Sequence, residues 1–332
     1  MSGALTDAER AQYGLAATIP AGPSVPPDLI VTVGDCAPVQ TDIVVALRVL
    51  RLVRPGIVML HTVPGPEDAP TAGEIRAAVP GIRVWVQTPA NGLTAGTTDH
   101  ACDVVRRWVR AALDLGAEVL SLNGEGASAA GRTGWTPGQP LTTPALDARA
   151  TAVLLAAADE SRGRLHLAWS SHDHPLMHHL PWSSIMGAQS PLALSLPQIY
   201  ADPGDGSRCS IAGARARWNA SRGEHQTLAA HGTIRPEFVP GNGACVTYAQ
   251  SHHHDTAALA WLLDQSALAA TWTVRADGAL CDDEGLLALR ADAEMRRRVG
   301  HDPGRVQRFQ AHAGLAADGV VGPATLAALG LS

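Results

Sequence analysis

The chain has 332 residues and a formal net charge of −6, and all 25 of its cationic residues are arginine. This length allows two domains or one large domain with an appendage. The near balance of charge leaves no basic surface that would indicate a nucleic-acid partner. No uninterrupted apolar run reaches the roughly 18 residues of a membrane-spanning helix, and the first residues lack the basic start and apolar run of a secretion signal.

The chain order of apolar and polar segments predicts the fold class. Residues 1–27 are rich in proline and glycine and predict an N-terminal tail. Over residues 28–280, eight apolar runs alternate with helical patterns, which indicates an α/β fold of the (β/α)8 TIM-barrel type. A doubly wound open sheet is the alternative, although no glycine-rich phosphate loop follows the first strand. The predicted strands are 29–35, 56–62, 83–89, 118–126, 165–173, 192–200, 234–241 and 267–274.

Polar residues stand in or just after the C-terminal halves of most predicted strands. Active sites of TIM barrels lie at the C-terminal ends of the strands and in the loops that follow them. We therefore expect these side chains to converge on one rim of the barrel. In chain order they are Asp35, His61, Gln87, Asn123, Glu125, His172, Gln198, Tyr200, Asp202 and Glu237.

The fourth predicted strand ends in SLNGEG, residues 121–126, and supplies one glutamate flanked by glycines. If Leu120 and Leu122 face the helices, then Ser121, Asn123 and Glu125 alternate onto the barrel side. Partial burial there would raise the pKa of a carboxyl toward the range of a general acid.

SLNGEG and LPQIYAD, residues 196–202, resemble the fourth- and sixth-strand motifs of chitinase-like and lysozyme-like (β/α)8 glycoside hydrolases. The resemblance implies that Glu125 is the proton donor and that Tyr200 and Asp202 meet the sugar. It also puts Asn123 where the family has an acid. Because a neutral amide is neither a nucleophile nor a base, Asn123 is expected to orient the substrate instead, and an inert barrel stays open.

A second acid is needed in most glycosidases. Asp35 after the first strand and Glu237 in the seventh are the candidates. A separation from Glu125 of about 5 Å would indicate retention of configuration, and one of about 6.5–9.5 Å inversion. Tryptophan rings stack on sugars, so the predicted substrate-binding residues combine aromatic and polar side chains: Asn123, Gln87, Gln198, Trp169, Trp272 and His172.

Clustered histidines allow a rival chemistry. No metal or other cofactor is expected for a glycosidase, but His172 and His174 stand two apart after the fifth strand and could bind Zn²⁺. The zinc-peptidase patterns H-E-x-x-H and H-x-x-E-H do not occur. A zinc amidase or peptidase therefore stays an alternative.

The C-terminal residues predict a helix, a turn and a second helix. Val306, Phe309 and Ala313 have helical spacing and predict the apolar, core-facing side of the first helix. Asp318-Gly319 is a turn pair, and Gly322-Pro323 opens a helix that Gly330 ends. The segment Val306–Leu329 resembles the second half of the three-helix bacterial peptidoglycan-binding domain. The resemblance implies a wall-binding module at 281–332, with peptidoglycan as the partner.

Together these patterns predict a peptidoglycan hydrolase that cleaves glycan strands and is held at the wall by its C-terminal module. Such a protein is expected to be made in the cytoplasm and to reach the wall by a lysis-type or injection-type route. A non-catalytic component of a phage or injection machine is a further alternative.

Overall fold

A computed structural model gives the fold. It describes residues 30–33, 47, 50–51, 54–93, 96–124, 144–172, 190–200, 216, 219, 233–234, 237–239, 268–269, 291, 294–295, 298–299 and 304–331. Six strands lie where the sequence predicts them: β1 Ile30–Val33, β2 Ile57–His61, β3 Arg83–Pro89, β4 Ala117–Asn123, β5 His166–His172 and β6 Leu194–Tyr200. Three shorter strands follow: β7 Thr233–Ile234, β8 Glu237–Val239 and β9 Leu268–Ala269.

All nine strands form one parallel sheet. Its order is β1-β2-β3-β4-β5-β6-β8-β9, and β7 pairs with β6. A doubly wound sheet reverses its strand order at a switch point. Here the order follows the chain, so the open-sheet alternative is wrong for the described strands. Cα atoms of β1 and β9 approach within 8 Å of each other. The described part of the chain is a parallel α/β half-barrel.

Helices with described bounds connect β2 to β3, β3 to β4 and β4 to β5. They are α1 Asp68–Ala78, α2 Thr98–Asp114 and α3 Pro144–Ser161, with a 3-10 turn at Ala90–Leu93. The Thr97 hydroxyl accepts a hydrogen bond from the His100 N–H and caps α2. Helix α2 packs on α3 and on β4. None of the helices within the described residues is long and apolar enough to span a membrane.

The two faces of the sheet differ in composition. Register partners in parallel strands share a face, and successive residues alternate between faces. One face carries an apolar cluster that draws on five strands: Ile57, Met59, Trp85, Val119, Ala168, Leu194 and Leu196. We call this the inner face. The opposite, outer face includes Leu120 and Leu122, as the sequence predicts, and both are buried.

The C-terminal unit has its own core. Helices α4 Arg305–His312 and α5 Pro323–Leu329 flank the turn at Asp318-Gly319, where Gly319 has a φ of 80°. Pro323 begins α5, and Gly330 ends it in the left-handed region. The predicted core position at Ala313 is wrong, because Ala313 is exposed and ends α4.

Residues upstream of α4 complete this core. Ala291 and Met295 are helical and pack with residues of α4, the connecting loop and α5: Val306, Phe309, Val321 and Leu329. The Arg298 guanidinium lies 5.9 Å from the centre of the Phe309 ring and donates to the Leu329 carbonyl at 3.2 Å. The unit therefore packs helical residues from three parts of the chain around one core.

Candidate functional site

The inner face changes from apolar to polar toward the C-terminal ends of its strands. Above the apolar cluster lie Gln87, Ser121, Asn123, Ser170 and Gln198, all buried. His61 ends β2 on the same face and is also buried. Burying so many polar side chains is costly unless they find partners. This polar layer, which we call the inner rim, is the candidate site that the strands build.

Register places the inner-rim residues side by side. His61 pairs with Gln87, and Gln87 pairs with Ser121. One level further along the strands, Asn123 pairs with Ser170. The prediction that Ser121 and Asn123 share the inner face therefore agrees with the pairing of β4.

A hydrogen bond joins two strands of the inner rim. The Gln198 Nε2 group donates to the Ser170 hydroxyl at 2.9 Å, and both side chains are fully buried. His61, Gln87 and Asn123 also have interaction partners. The rim is thus a set of buried hydrogen-bonding side chains on β2 to β6.

Not every buried polar atom of the inner face is hydrogen-bonded within the described residues. The Trp85 indole N–H and the Ser121 hydroxyl are buried and have no hydrogen-bond partner there. Trp85 pairs in register with Val119, two residues before Ser121 on β4. Trp85 therefore lies one level below the rim, diagonal to the rim residue Ser121.

The backbone just before Glu125 is held in place. The Gly124 N–H donates to the Ser170 carbonyl at 2.7 Å. A Cβ atom at Gly124 would overlap the ring of Trp169, so only glycine fits without a shift of that ring. Trp169 pairs in register with Leu122 and therefore lies on the outer face, where it is buried. This placement favours packing against Gly124 over stacking on a sugar.

Asp68 is a buried carboxylate just after the loop that follows β2, and it was not among the predicted site residues. Asp68 begins α1, and its Oδ2 accepts from the Gly65 N–H at 2.9 Å. Burial raises the pKa of the Asp68 carboxyl above its ordinary value, although the Gly65 hydrogen bond opposes the shift. An acid in the first turn of a helix commonly interacts with the helix dipole, so its place in the sequence does not mark Asp68 as a site residue. Asp68 orders this loop at the C-terminal side of β2.

Several predicted site residues have only a backbone position. His172 and Tyr200 end β5 and β6, and Glu237 begins β8. Register puts His172 and Glu237 on either side of Gln198. Five further predictions lie outside the described residues: Asp35, Glu125, Asp202, Trp272 and the zinc candidate His174. Their roles stay predictions.

No group of three potential metal ligands occurs among the residues that the structure describes. The rim residues whose side chains are described carry amides, hydroxyls and one imidazole, which can bind and orient polar groups through hydrogen bonds. Glu237 and His172 are register neighbours of Gln198 and have only a backbone position.

In the C-terminal unit, a single buried glutamine organises the loop between α4 and α5. The Gln310 Nε2 group donates to the Asp318 carboxylate and the Val320 carbonyl, each at 2.8 Å, and to the Thr325 hydroxyl at 3.2 Å. Its Oε1 accepts from the Gly319 N–H at 2.9 Å. Asp318 in turn accepts from the Val320 N–H at 2.9 Å. We call this set the Gln310 network.

Comparison with known proteins assigns this unit. Residues 304–329 match the family described as "Putative peptidoglycan binding domain". The chain carries a peptidoglycan-binding domain at its C-terminal end. The Gln310 network joins Gln310, Asp318 and Thr325, which all lie in the matched segment, so these residues hold its loop in shape. Among curated proteins, none matches the chain.

Solved structures give distant likenesses. The α-galactosidase I of Mortierella vinacea aligns at 12% identity with a TM-score of 0.46, covering 83% of this chain and 73% of that one. A D-allulose 3-epimerase from Methylomonas sp. aligns at 10% and 0.43, covering 75% and 85%. A type I 3-dehydroquinate dehydratase from Clostridium difficile aligns at 11% and 0.41, covering 80% and 91%. The three names denote three different activities, and we take no activity from them.

Proposed function

We propose that this protein is a peptidoglycan hydrolase whose barrel cleaves glycan strands while the C-terminal domain keeps it at the cell wall. The observation that carries the proposal is the peptidoglycan-binding domain at residues 304–329. Attachment to a polymeric substrate raises the effective concentration of a linked active site without new catalytic contacts. A barrel on the same chain is then well placed to act on the same polymer.

The proposal includes a closed (β/α)8 barrel of the glycoside-hydrolase type. Two observations support closure. Cα atoms of β1 and β9, at the two ends of the strand order, come within 8 Å of each other. Strands β7 and β8 pair with successive parts of β6, as the two halves of one seventh strand would. In such a barrel all C-terminal strand ends open on one mouth. The inner rim would then form one side of a cleft for a sugar chain.

Glu125 is the proposed general acid. It follows the last residue of β4 by two positions, and Gly124 between them is held by Ser170 and Trp169. Asp35 and Glu237 are the candidates for the second carboxylate, with Tyr200 and Asp202 contacting the sugar. Asn123, Gln87, Gln198 and His172 would bind substrate from the rim, and Trp272 is the proposed stacking ring.

Removal of the acid tests this assignment directly. With purified cell walls as substrate, Glu125→Gln should lower the release of reducing sugars by at least about a hundredfold, the lower bound for losing general acid catalysis. Wall binding should persist, because the C-terminal domain is unchanged. Glu118→Gln is the matched control, since Glu118 lies near the start of the same strand and pairs with Arg83 at 3.1 Å.

Retained sugar release by Glu125→Gln would rule out Glu125 as the acid. A loss of both activity and wall binding would instead indicate misfolding, which unfolding curves of the two variants would detect. Mass analysis of the soluble fragments would identify the bond that is cut.

A non-catalytic wall-binding protein is the second candidate, favoured by Asn123, a neutral amide at the position where the resembled hydrolases have an acid. It predicts wall binding with neither new reducing ends nor new amino groups. A zinc amidase that uses His172 and His174 predicts new amino groups and inhibition by a chelator. We place the action at the bacterial wall, after lysis-type or injection-type delivery.

A further inference from the structure

The C-terminal domain holds one valine outside its core. Val320 lies in the loop between α4 and α5, and 43% of its side chain is exposed. Its neighbour Val321 is 6% exposed and belongs to the core of the domain. Single exposed apolar residues are common on protein surfaces. Val320 is informative because of the contacts that hold it and the surface that surrounds it.

The loop fixes Val320 in this outward position. Its N–H donates to the Asp318 carboxylate at 2.9 Å. Its carbonyl accepts from Gln310 Nε2 at 2.8 Å and from the Thr325 hydroxyl at 3.3 Å. Both backbone groups of Val320 are therefore hydrogen-bonded, and its branched side chain has few rotamers. A surface that is ordered before binding loses less conformational entropy when a ligand arrives.

The surface that continues from Val320 along α5 is uncharged. The exposed residues of α5 are Pro323, Ala324, Ala327 and Ala328. Between Ala313 and Leu331 the sequence has one charged residue, Asp318, and its carboxylate already accepts from Gln310 and from the Val320 N–H. The exposed residues of α4, in contrast, include Arg308 and His312. We call Val320 and the exposed residues of α5 the Val320 face.

Peptidoglycan offers two chemistries to such a domain. Its glycan strands are neutral sugars with apolar C–H surfaces, and its stem peptides carry carboxylates. Covering a carboxylate with a surface that has no cation removes its hydration without a compensating partner. Covering C–H groups with apolar side chains is favourable. The Val320 face therefore suits the glycan, whereas a stem peptide would be better served by Arg308 on α4.

We propose that the Val320 face binds the neutral glycan strand of peptidoglycan. The class of partner comes from the family match at residues 304–329, and the inference rests on the wall attachment in the proposed function. It adds the surface that makes the contact and the part of the polymer that is contacted. It does not depend on whether the barrel hydrolyses the strand.

Co-sedimentation of the full chain with purified cell walls in the cold tests the face. Val320→Asp and Ala324→Glu should each raise the apparent Kd about tenfold or more, because each places a charge where neutral sugar is bound. Ala311→Glu is the matched control, since it adds the same side chain at an exposed position of α4, and it should leave the Kd unchanged. Thermal unfolding curves identify any variant that fails to fold.

Two further measurements separate the glycan from the stem peptide. Glycan strands freed of their stem peptides by an amidase should bind the wild type as tightly as intact walls do, per disaccharide. Arg308→Gln should not weaken wall binding. The Kd should also change less than about twofold between about 0.05 and 0.5 M salt, because salt screens charge pairs and not apolar contacts.

Unchanged wall binding by folded Val320→Asp or folded Ala324→Glu would overturn the face and leave the wall attachment standing. Weaker binding by Arg308→Gln, or loss of binding to strands without stem peptides, would overturn the glycan assignment in favour of the stem peptide. No wall binding by the wild type would overturn the attachment and the face together. Wall binding through this face without any hydrolysis would remove only the proposed activity.

Discussion

The C-terminal domain and the barrel differ in how fully their buried polar groups are hydrogen-bonded. In the domain, buried Gln310 uses both ends of its amide and links residues on the loop and on α5. In the barrel, Trp85 and Ser121 are buried without partners among the described residues. A satisfied network fixes one conformation, whereas a buried polar group without a partner costs folding free energy. The contrast teaches that the polar residues of the wall-binding segment serve its structure.

The largest expected effect comes from breaking the Gln310 network. Gln310→Ala should destabilise the C-terminal domain by about 3 kcal/mol, because it removes a buried side chain with its hydrogen bonds and leaves the buried Gly319 N–H without an acceptor. Hydrogen exchange measured peptide by peptide on the full chain should show faster exchange over α4 and α5 and little change in β2 to β6. Gln307→Ala, at an exposed position of the same helix, is the control. Unchanged protection would mean that the network is not what holds the loop.

In the barrel the contact that tolerates least change is at Gly124. Gly124→Ala should cost about 1–3 kcal/mol, the usual range for overpacking, because the new methyl group overlaps the Trp169 ring. Gly73→Ala should change the free energy of unfolding in the opposite direction. Gly73 lies in α1, and no atom lies near the position of an added Cβ, so we expect the substitution to stabilise the protein by about 0.5–1 kcal/mol. Denaturant unfolding of the full chain measures both. Equal effects of the two substitutions would contradict the packing argument.

The smallest effects concern pH, and they differ in sign between the two regions. Hydrogen bonds from the Val320 N–H and Gln310 lower the pKa of Asp318. Its contribution to stability is therefore present above the unfolded-state pKa of about 3.9 and is lost as the pH falls through the folded value. Burial raises the pKa of Asp68, so its contribution is largest below about pH 3.9 and is lost as the pH rises through the folded value.

Thermal unfolding of the wild type, Asp318→Asn and Asp68→Asn between pH 3 and pH 7 measures these contributions. The deficit of Asp318→Asn should be present at pH 7 and shrink toward pH 3. Relative to the wild type, Asp68→Asn should gain stability as the pH rises, since Asn can still accept from the Gly65 N–H. Parallel curves for all three proteins would contradict both shifts.

Sequence periodicity was sufficient to predict the positions of the first six strands and a sheet in which the strands follow chain order. Parallel strands buried on both faces are continuous apolar runs. Strands β1, β2, β3, β5 and β6 lie within the predicted ranges, and β4 begins one residue before its predicted range. The predicted strand 234–241 is seen instead as β7 and β8. Pro236 stands between them in the sequence, and proline has no N–H to donate to a ladder.

Contacts between distant residues could not be predicted in the same way. Ala313 was expected in the core because it continues an apolar spacing, but Gln310 is buried instead. The hydrogen-bond partners of Gln310 lie eight to fifteen residues further along the chain, on the loop and on α5, so its burial could not be predicted from local spacing. Trp169 was expected to face a sugar, and only the register with Leu122 places it on the outer face. Asp68 was overlooked because burial of a helix-start acid depends on the packing around it. The roles of Glu125, Asp35, Asp202 and Trp272 stay predictions.

The contacts of Arg298 carry a practical consequence for dissecting this protein. The family match begins at residue 304, yet Arg298 lies over Phe309 and donates to the Leu329 carbonyl, and Met295 shares their core. An excised fragment that starts at residue 304 would leave aromatic and aliphatic side chains bare, and we expect it to self-associate. A cut placed before residue 291 keeps these side chains covered and is the sounder choice for isolating the wall-binding domain.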